Sequence, residues 1–103
     1  MIYYVYVLHN DVTGMLYIGL TSSLKRRLKE HQEGKSLFTR RNKKNGKWNL
    51  IYFEGYINKL DAEGREQFLK GGSGRIYLKK QLKHYFEDKN IGSKAEWLQK
   101  LLS

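Results

Sequence analysis

The chain has 103 residues, of which 20 are Lys or Arg and 10 are Asp or Glu, giving a formal charge of +10; 40% are apolar, and there is no Cys and no Pro. About 100 residues make a single domain with one modest core, and the absence of Cys excludes a disulfide framework, a zinc knuckle, an iron–sulfur cluster and a thiol nucleophile. There is no apolar run of the roughly 18 residues a membrane span needs, and Met1 to Leu8 has neither the basic start nor the small-residue cleavage site of a signal peptide, so the expectation is a soluble protein of the cytoplasm or another intracellular space.

Ile2 to Leu8 is rich in β-branched and aromatic residues and predicts a buried strand. Met15 to Leu20 predicts a second, and the turn residues of Asn10 to Gly14 join the two as an antiparallel hairpin. Ser22 or Ser23 can cap a helix to about Glu33, with Leu24 and Leu28 on its packed face and Gly34 as its stop. Residues 35–47 are polar and basic and read as a loop. Trp48 to Ile57 predicts a third strand. Asn58 then caps a helix through Lys70, whose first turns carry Asp61 and Glu63, where the helix dipole favours acids. Gly71 to Gly74 lacks the spacing of a phosphate-cradling loop and reads as a hinge between helices. A further helix is expected over Arg75 to Glu87, and the capping box Ser93-Lys94-Ala95-Glu96 opens a short one to Leu102. The order ββαβααα predicts one small α+β domain over residues 1–103, with a three-stranded, mainly antiparallel sheet flanked by helices.

The positive charge is clustered. Lys25, Arg26, Arg27 and Lys29 form one block, residues 35–47 hold six bases and no acid, and Lys70 to Lys83 holds five bases and no acid. Such blocks attract polyanions, nucleic acid foremost. Four tyrosines, Tyr3, Tyr4, Tyr6 and Tyr17, sit in the N-terminal hairpin, and alternation puts Tyr4 and Tyr6 on one face. Arg27 and His31 are i and i+4 on the first helix and face the same way, a guanidinium to hold a phosphate beside an imidazole to relay a proton. Glu66 lies four residues before Lys70, the spacing of a helical ion pair.

Taken in order, Tyr4-Val5-Tyr6, Tyr17-Ile18-Gly19, the helix with Arg27 and His31, and Glu66 in Ala62 to Lys70 resemble the GIY-YIG nuclease family. The second triplet matches letter for letter. The first keeps only its last residue, with Tyr4 where the family has Gly and Val5 where it has Ile. The resemblance covers about residues 2–70 as the core, leaving 71–103 as a helical extension. An Asn that many members place beyond the metal-binding Glu has no counterpart in Gly71 to Lys83.

The resemblance implies a metal-dependent DNA endonuclease that leaves 5′-phosphate and 3′-hydroxyl ends. Its catalytic residues would be Tyr6, Tyr17, Arg27, His31 and Glu66, with Gly19 structural at the site. Glu66 would hold Mg²⁺, or Mn²⁺ in its place; no small-molecule cofactor is implied. Tyr6 or Tyr17 would be the general base, and since a phenol ordinarily titrates near pH ~10, the site is expected to favour phenolate through Arg27, Lys25 or Arg26. Lys25, Arg26, Arg40, Arg41, Lys43, Lys44, Lys70 and Arg75 are the expected nucleic-acid contacts. The partner is DNA, or RNA in its place, with the chain acting as monomer or homodimer. With little chain beyond the core, cleavage is expected to be structure-selective or weakly sequence-selective, on single-stranded, nicked or branched DNA. The alternative is a non-catalytic nucleic-acid-binding module on the same fold.

Overall fold

The computed structural model describes residues 1–33 and 46–88. Three strands, β1 (Tyr3–Asn10), β2 (Leu16–Thr21) and β3 (Trp48–Tyr56), and four helices, α1 (Leu24–Gln32), α2 (Lys59–Lys70), α3 (Gly72–Gln81) and α4 (Lys83–Glu87), follow in the order ββαβααα. The expected α+β class and element order are borne out. Both neighbours of the central strand run antiparallel to it, and the sheet order is β2-β1-β3.

The β1–β2 turn is closed by Asn10, whose Oδ1 accepts from the backbone N–H of Val12 at 3.0 Å and of Thr13 at 2.9 Å, while Gly14 takes a positive φ of 74°. Alternation along β1 splits the core. Val5 and Val7 pack with Ile18, Ile51, Ala62, Leu69 and Leu78 on the face covered by α2 and α3. Tyr6 and Leu8 pack with Leu24, Leu28 and Leu50 on the face covered by α1.

The helix ends show which local signals held. Asn58 caps α2 as expected, its Oδ1 accepting from Leu60 N–H at 2.9 Å. Ser23 is the N-cap of α1, but its side chain makes no capping bond; Thr21 Oγ1 instead accepts from Ser23 N–H at 3.1 Å. The helix expected over Arg75 to Glu87 is two helices: α3 starts three residues earlier, at Gly72, and the chain breaks at Leu82 before α4. Gly74 is inside α3 because a Cβ there would collide with Phe68 O and the Leu69 Cα, so its bareness lets α3 cross closely over the end of α2. His9 Nδ1 lies 2.8 Å from Tyr85 Oη and ties α4 to β1. Gly34, the bases Arg40, Arg41, Lys43 and Lys44 and the helix expected over Ser93 to Leu102 lie outside the described residues. No helix among the described residues is long and apolar enough to cross a membrane.

Candidate active site

Because β2 is an edge strand, its open side is free to form the floor of a cleft. A cleft of about 420 Å³ runs along it from Met15 to Leu20, with Tyr6 from β1, Arg27 from α1, and Glu66 and Lys70 from α2 on its walls. Arg75 of α3 joins them. Four elements thus bring Tyr6, Tyr17, Arg27 and Glu66 to one cleft.

Tyr6 is 1% exposed, on the central strand opposite Gly19 of β2. Its ring lies directly over Gly19: a Cβ at Gly19 would fall inside the van der Waals envelope of Tyr6 Cζ and Oη. That contact is the physical reason for glycine here. Tyr6 Oη lies 2.9 Å from His31 Nε2, and His31 is itself buried under the Tyr6 and Tyr17 rings, with ring centroids 5.8 and 5.1 Å away. Burial, then the Arg27 guanidinium, hold the His31 imidazole down to about 4 against the pull of Glu30, so it is neutral at pH 7.

For Tyr6, the expectation of a favoured phenolate is overturned. Burial and the neighbouring Tyr17 push the phenol well above its ordinary value, outweighing the attraction of Arg27. Nor do Lys25 and Arg26 help. Both side chains are exposed, and Arg26 Nε pairs with Glu30 Oε1 at 3.9 Å.

Arg27 is half engaged. Its Nη1 pairs with Glu30 Oε2 at 3.2 Å, while its Nε is buried with no hydrogen-bond partner among the described residues. A buried guanidinium N–H without an acceptor is costly, and the Arg27 side chain also lines the cleft, so its guanidinium is placed to attract an anion there. Glu66, with its side chain 16% exposed, pairs with Lys70 Nζ at 3.4 Å. Among the described residues no group of three or more His, Asp or Glu gathers to ligate a metal. One carboxylate suits Mg²⁺, which keeps waters and takes phosphate oxygens, and does not suit a metal that needs a full protein shell.

The sequence reading missed a network behind the cleft wall. Glu54 on β3 accepts from Tyr52 Oη at 2.5 Å and Tyr56 Oη at 2.7 Å, and from Arg65 Nε and Nη2 at 2.9 Å each. The Arg65 guanidinium lies 4.5 Å from the Tyr77 ring centroid and 5.4 Å from that of Phe68. β3, α2 and α3 are thereby tied together by the residue next to Glu66. One signal was available: Tyr52, Glu54 and Tyr56 alternate on one strand face. Trp48 and Tyr77 are half-buried and packed against the core.

A family model described as the GIY-YIG catalytic domain matches residues 2–82, which spans every element from β1 to α3. The chain belongs to the GIY-YIG family. This family consists typically of nucleases. The chain is also similar to the UPF0213 protein CPE1444 of Clostridium perfringens, at 37% identity over 67 residues, which cover 65% of this chain and 69% of that one. Among solved structures it resembles the solution structure of the UPF0213 protein BH0048 of Bacillus halodurans, at 30% identity with a TM-score of 0.48, covering 90% of this chain and 94% of that one.

Proposed function

We propose that the protein is a metal-dependent endonuclease that hydrolyses phosphodiester bonds in DNA, with single-stranded, nicked or branched DNA as its substrate class and 5′-phosphate and 3′-hydroxyl products. The observation that carries the reading is the meeting of Tyr6, Tyr17, Arg27 and Glu66 on one cleft, with His31 at hydrogen-bond distance from Tyr6.

Arg27, on the cleft wall, receives a phosphate oxygen on its guanidinium and stabilises the charge that grows there during in-line attack. Glu30 holds the far side of the same guanidinium in place. His31 is neutral, and in its Nδ1–H tautomer it accepts from the Tyr6 hydroxyl through Nε2, 2.9 Å away. Since burial disfavours a standing phenolate, Tyr6 acts as a relay: it takes the proton of the attacking water as it passes its own to His31. Tyr17, beside both rings, shapes the pocket for that water. Glu66 would hold a divalent cation such as Mg²⁺, which when bound supplies charge neutralisation at the phosphate and at the departing 3′ oxygen.

One observation favours a second reading, a non-catalytic binding module: the Lys70 ammonium sits 3.4 Å from the carboxylate the metal would need. A nicking assay on single-stranded, duplex and branched DNA with Mg²⁺, run beside Glu66→Ala and Arg27→Ala, separates the two. The nuclease reading expects cleavage by the wild type, none by Glu66→Ala with binding retained, and a loss of several orders of magnitude for Arg27→Ala. Binding without cleavage by the wild type supports the module, and robust cleavage by Glu66→Ala removes the metal assignment.

A further inference from the structure

The basic residues of this chain are not equally available to a polyanion. On α1, Lys25, Arg26, Arg27 and Lys29 share their helix with Glu30, and Glu33 follows at its end. Three of the four cations are paired: Arg26 and Arg27 with Glu30 at 3.9 and 3.2 Å, and Lys29 with Glu33 at 4.0 Å. Lys70 is paired with Glu66.

α3 is different. Its inner face is Gly74 and Leu78, both buried, so its solvent face carries Arg75, Lys79 and Lys80, with Ile76 between them at 59% exposure. Lys83 then opens α4. No acid occurs from Lys70 to Lys83, and none of these four cations has an ion-pair partner among the described residues. Individual exposed ion pairs are weak, but it is the local field that a polyanion meets. On α1 four cations share two carboxylates at ion-pair distance; along α3 and the start of α4 none of the four cations has a carboxylate at that distance among the described residues.

Position adds to charge. Arg75 lines the cleft beside Glu66. Lys79 lies one turn further along the same helix face, a rise of about 6 Å, so the unpaired cations begin in the cleft and continue beyond it.

Resting on the nuclease reading, we propose that the solvent face of α3 is a phosphate rail. The backbone of a nucleic-acid strand leaves the cleft along Arg75, Lys79, Lys80 and Lys83, while α1 contributes Arg27 to the reacting phosphate and no track. Lysine ammonium groups suit this task, since point charges on flexible stems hold phosphates in any sequence context.

The test uses the full chain carrying Glu66→Ala, so that bound strand is not consumed, and a labelled single-stranded oligonucleotide. Binding is measured between about 50 and 200 mM salt. Adding Lys79→Gln with Lys80→Gln is expected to flatten the slope of log K against log salt by about 1.4 units and to weaken binding roughly 25-fold at about 0.1 M salt, at about 0.7 units for each single-strand phosphate left without its lysine. A charge-matched control, Lys29→Gln with Lys59→Gln, removes two exposed lysines that already pair with Glu33 and Glu63, and is expected to keep the parent slope. A parent slope in the α3 variant, or an equal flattening in the control, overturns the rail and leaves the nuclease reading standing. Absence of any binding by the Glu66→Ala chain, with its fold intact by circular dichroism, overturns both.

Discussion

Replacing Gly19 by Ala adds one methyl group where the Tyr6 ring already lies. Gly19 has no positive φ, so the backbone tolerates Ala and the whole effect falls on the ring. The new Cβ would overlap Tyr6 Cζ and Oη and crowd Cε1 at 2.7 Å. Tyr6 is 1% exposed and packed among Leu8, Leu24, Leu28 and Leu50, so it cannot swing away without pushing on those neighbours. Overpacking of this kind costs about 1–3 kcal/mol, and in a domain of this size each kcal/mol lowers Tm by about 4–8 °C. The same displacement pulls Oη from its position 2.9 Å from His31 Nε2, so cleavage should fall with stability.

The assay is a double-mutant cycle of thermal melts. Leu in place of Tyr6 lacks all three crowded atoms, so Gly19→Ala on the Tyr6→Leu background should cost under about 0.5 kcal/mol, leaving a coupling of about 1 kcal/mol or more between the two sites. A wild-type Tm for Gly19→Ala, or the same cost in both backgrounds, would refute the account of Gly19 as the seat of the Tyr6 ring.

Other changes test other parts of the molecule. Gly74→Ala should destabilise more than Gly19→Ala in the same melts, because its Cβ meets the backbone of Phe68 and Leu69 rather than a side chain that can turn; a milder effect would mean that α3 shifts freely on α2. Tyr6→Phe removes the relay oxygen and is expected to slow single-turnover cleavage by about 10²-fold or more, and an unchanged rate would pass the base role to Tyr17. The buried His31 titrates near 4 in the folded chain against about 6.5 unfolded. The unfolded state therefore binds more protons between those values, and stability should fall as pH drops from 6.5 to 4, by up to about 3 kcal/mol; urea melts should show His31→Gln losing that slope. Glu54 responds to acid through a different balance. Burial alone would raise its carboxyl, but the bonds from Arg65, Tyr52 and Tyr56 outweigh burial and hold it below 4.5. Its contribution is complete above pH 4.5 and is lost as pH falls through the lowered folded value, so Glu54→Gln should be less stable than wild type at pH 7 and less sensitive to acid below 4.5. Equal acid sensitivity of the two chains would exclude Glu54 as the responding group.

What the sequence made legible follows the range of each interaction. The hairpin is written locally, in the alternation of Tyr3 to Leu8 and the turn chemistry of Asn10, and α2 is announced by its Asn58 cap. The start of α3 was not legible, because Gly72 and Gly74 read as breakers and only the close approach of Phe68 O explains a helical Gly74. Tyr6, Arg27, His31 and Glu66 were individually ordinary and could be selected only as an ordered set. Their electrostatics were illegible: Arg27 near a phenol predicts a lowered pKa, yet the depth at which Tyr6 sits reverses the sign. The Glu54–Arg65 fork escaped for a related reason, since spacing along one strand cannot name a partner on another element.

The strand order explains why one cleft can hold such different environments. Tyr6 and His31 belong to the sheet face under α1, and Glu66 and Arg75 belong to α2 and α3 on the other. A sheet normally keeps its two faces apart. Here they meet because β2 lies at the edge, next to the strand that carries Tyr6, and side chains from both layers reach the same open side. Gly19 matters at this point more than anywhere else in the sheet, because it is the place on β2 over which a ring from the central strand can lie. The consequence is a division of labour by burial. On the proposed nuclease reading, proton handling needs neutral groups, and it would sit where Tyr6 and His31 are driven toward their neutral forms. On the same reading, phosphate holding needs permanent charge, and it would fall to the guanidinium groups of Arg27 and Arg75, which line the same cleft.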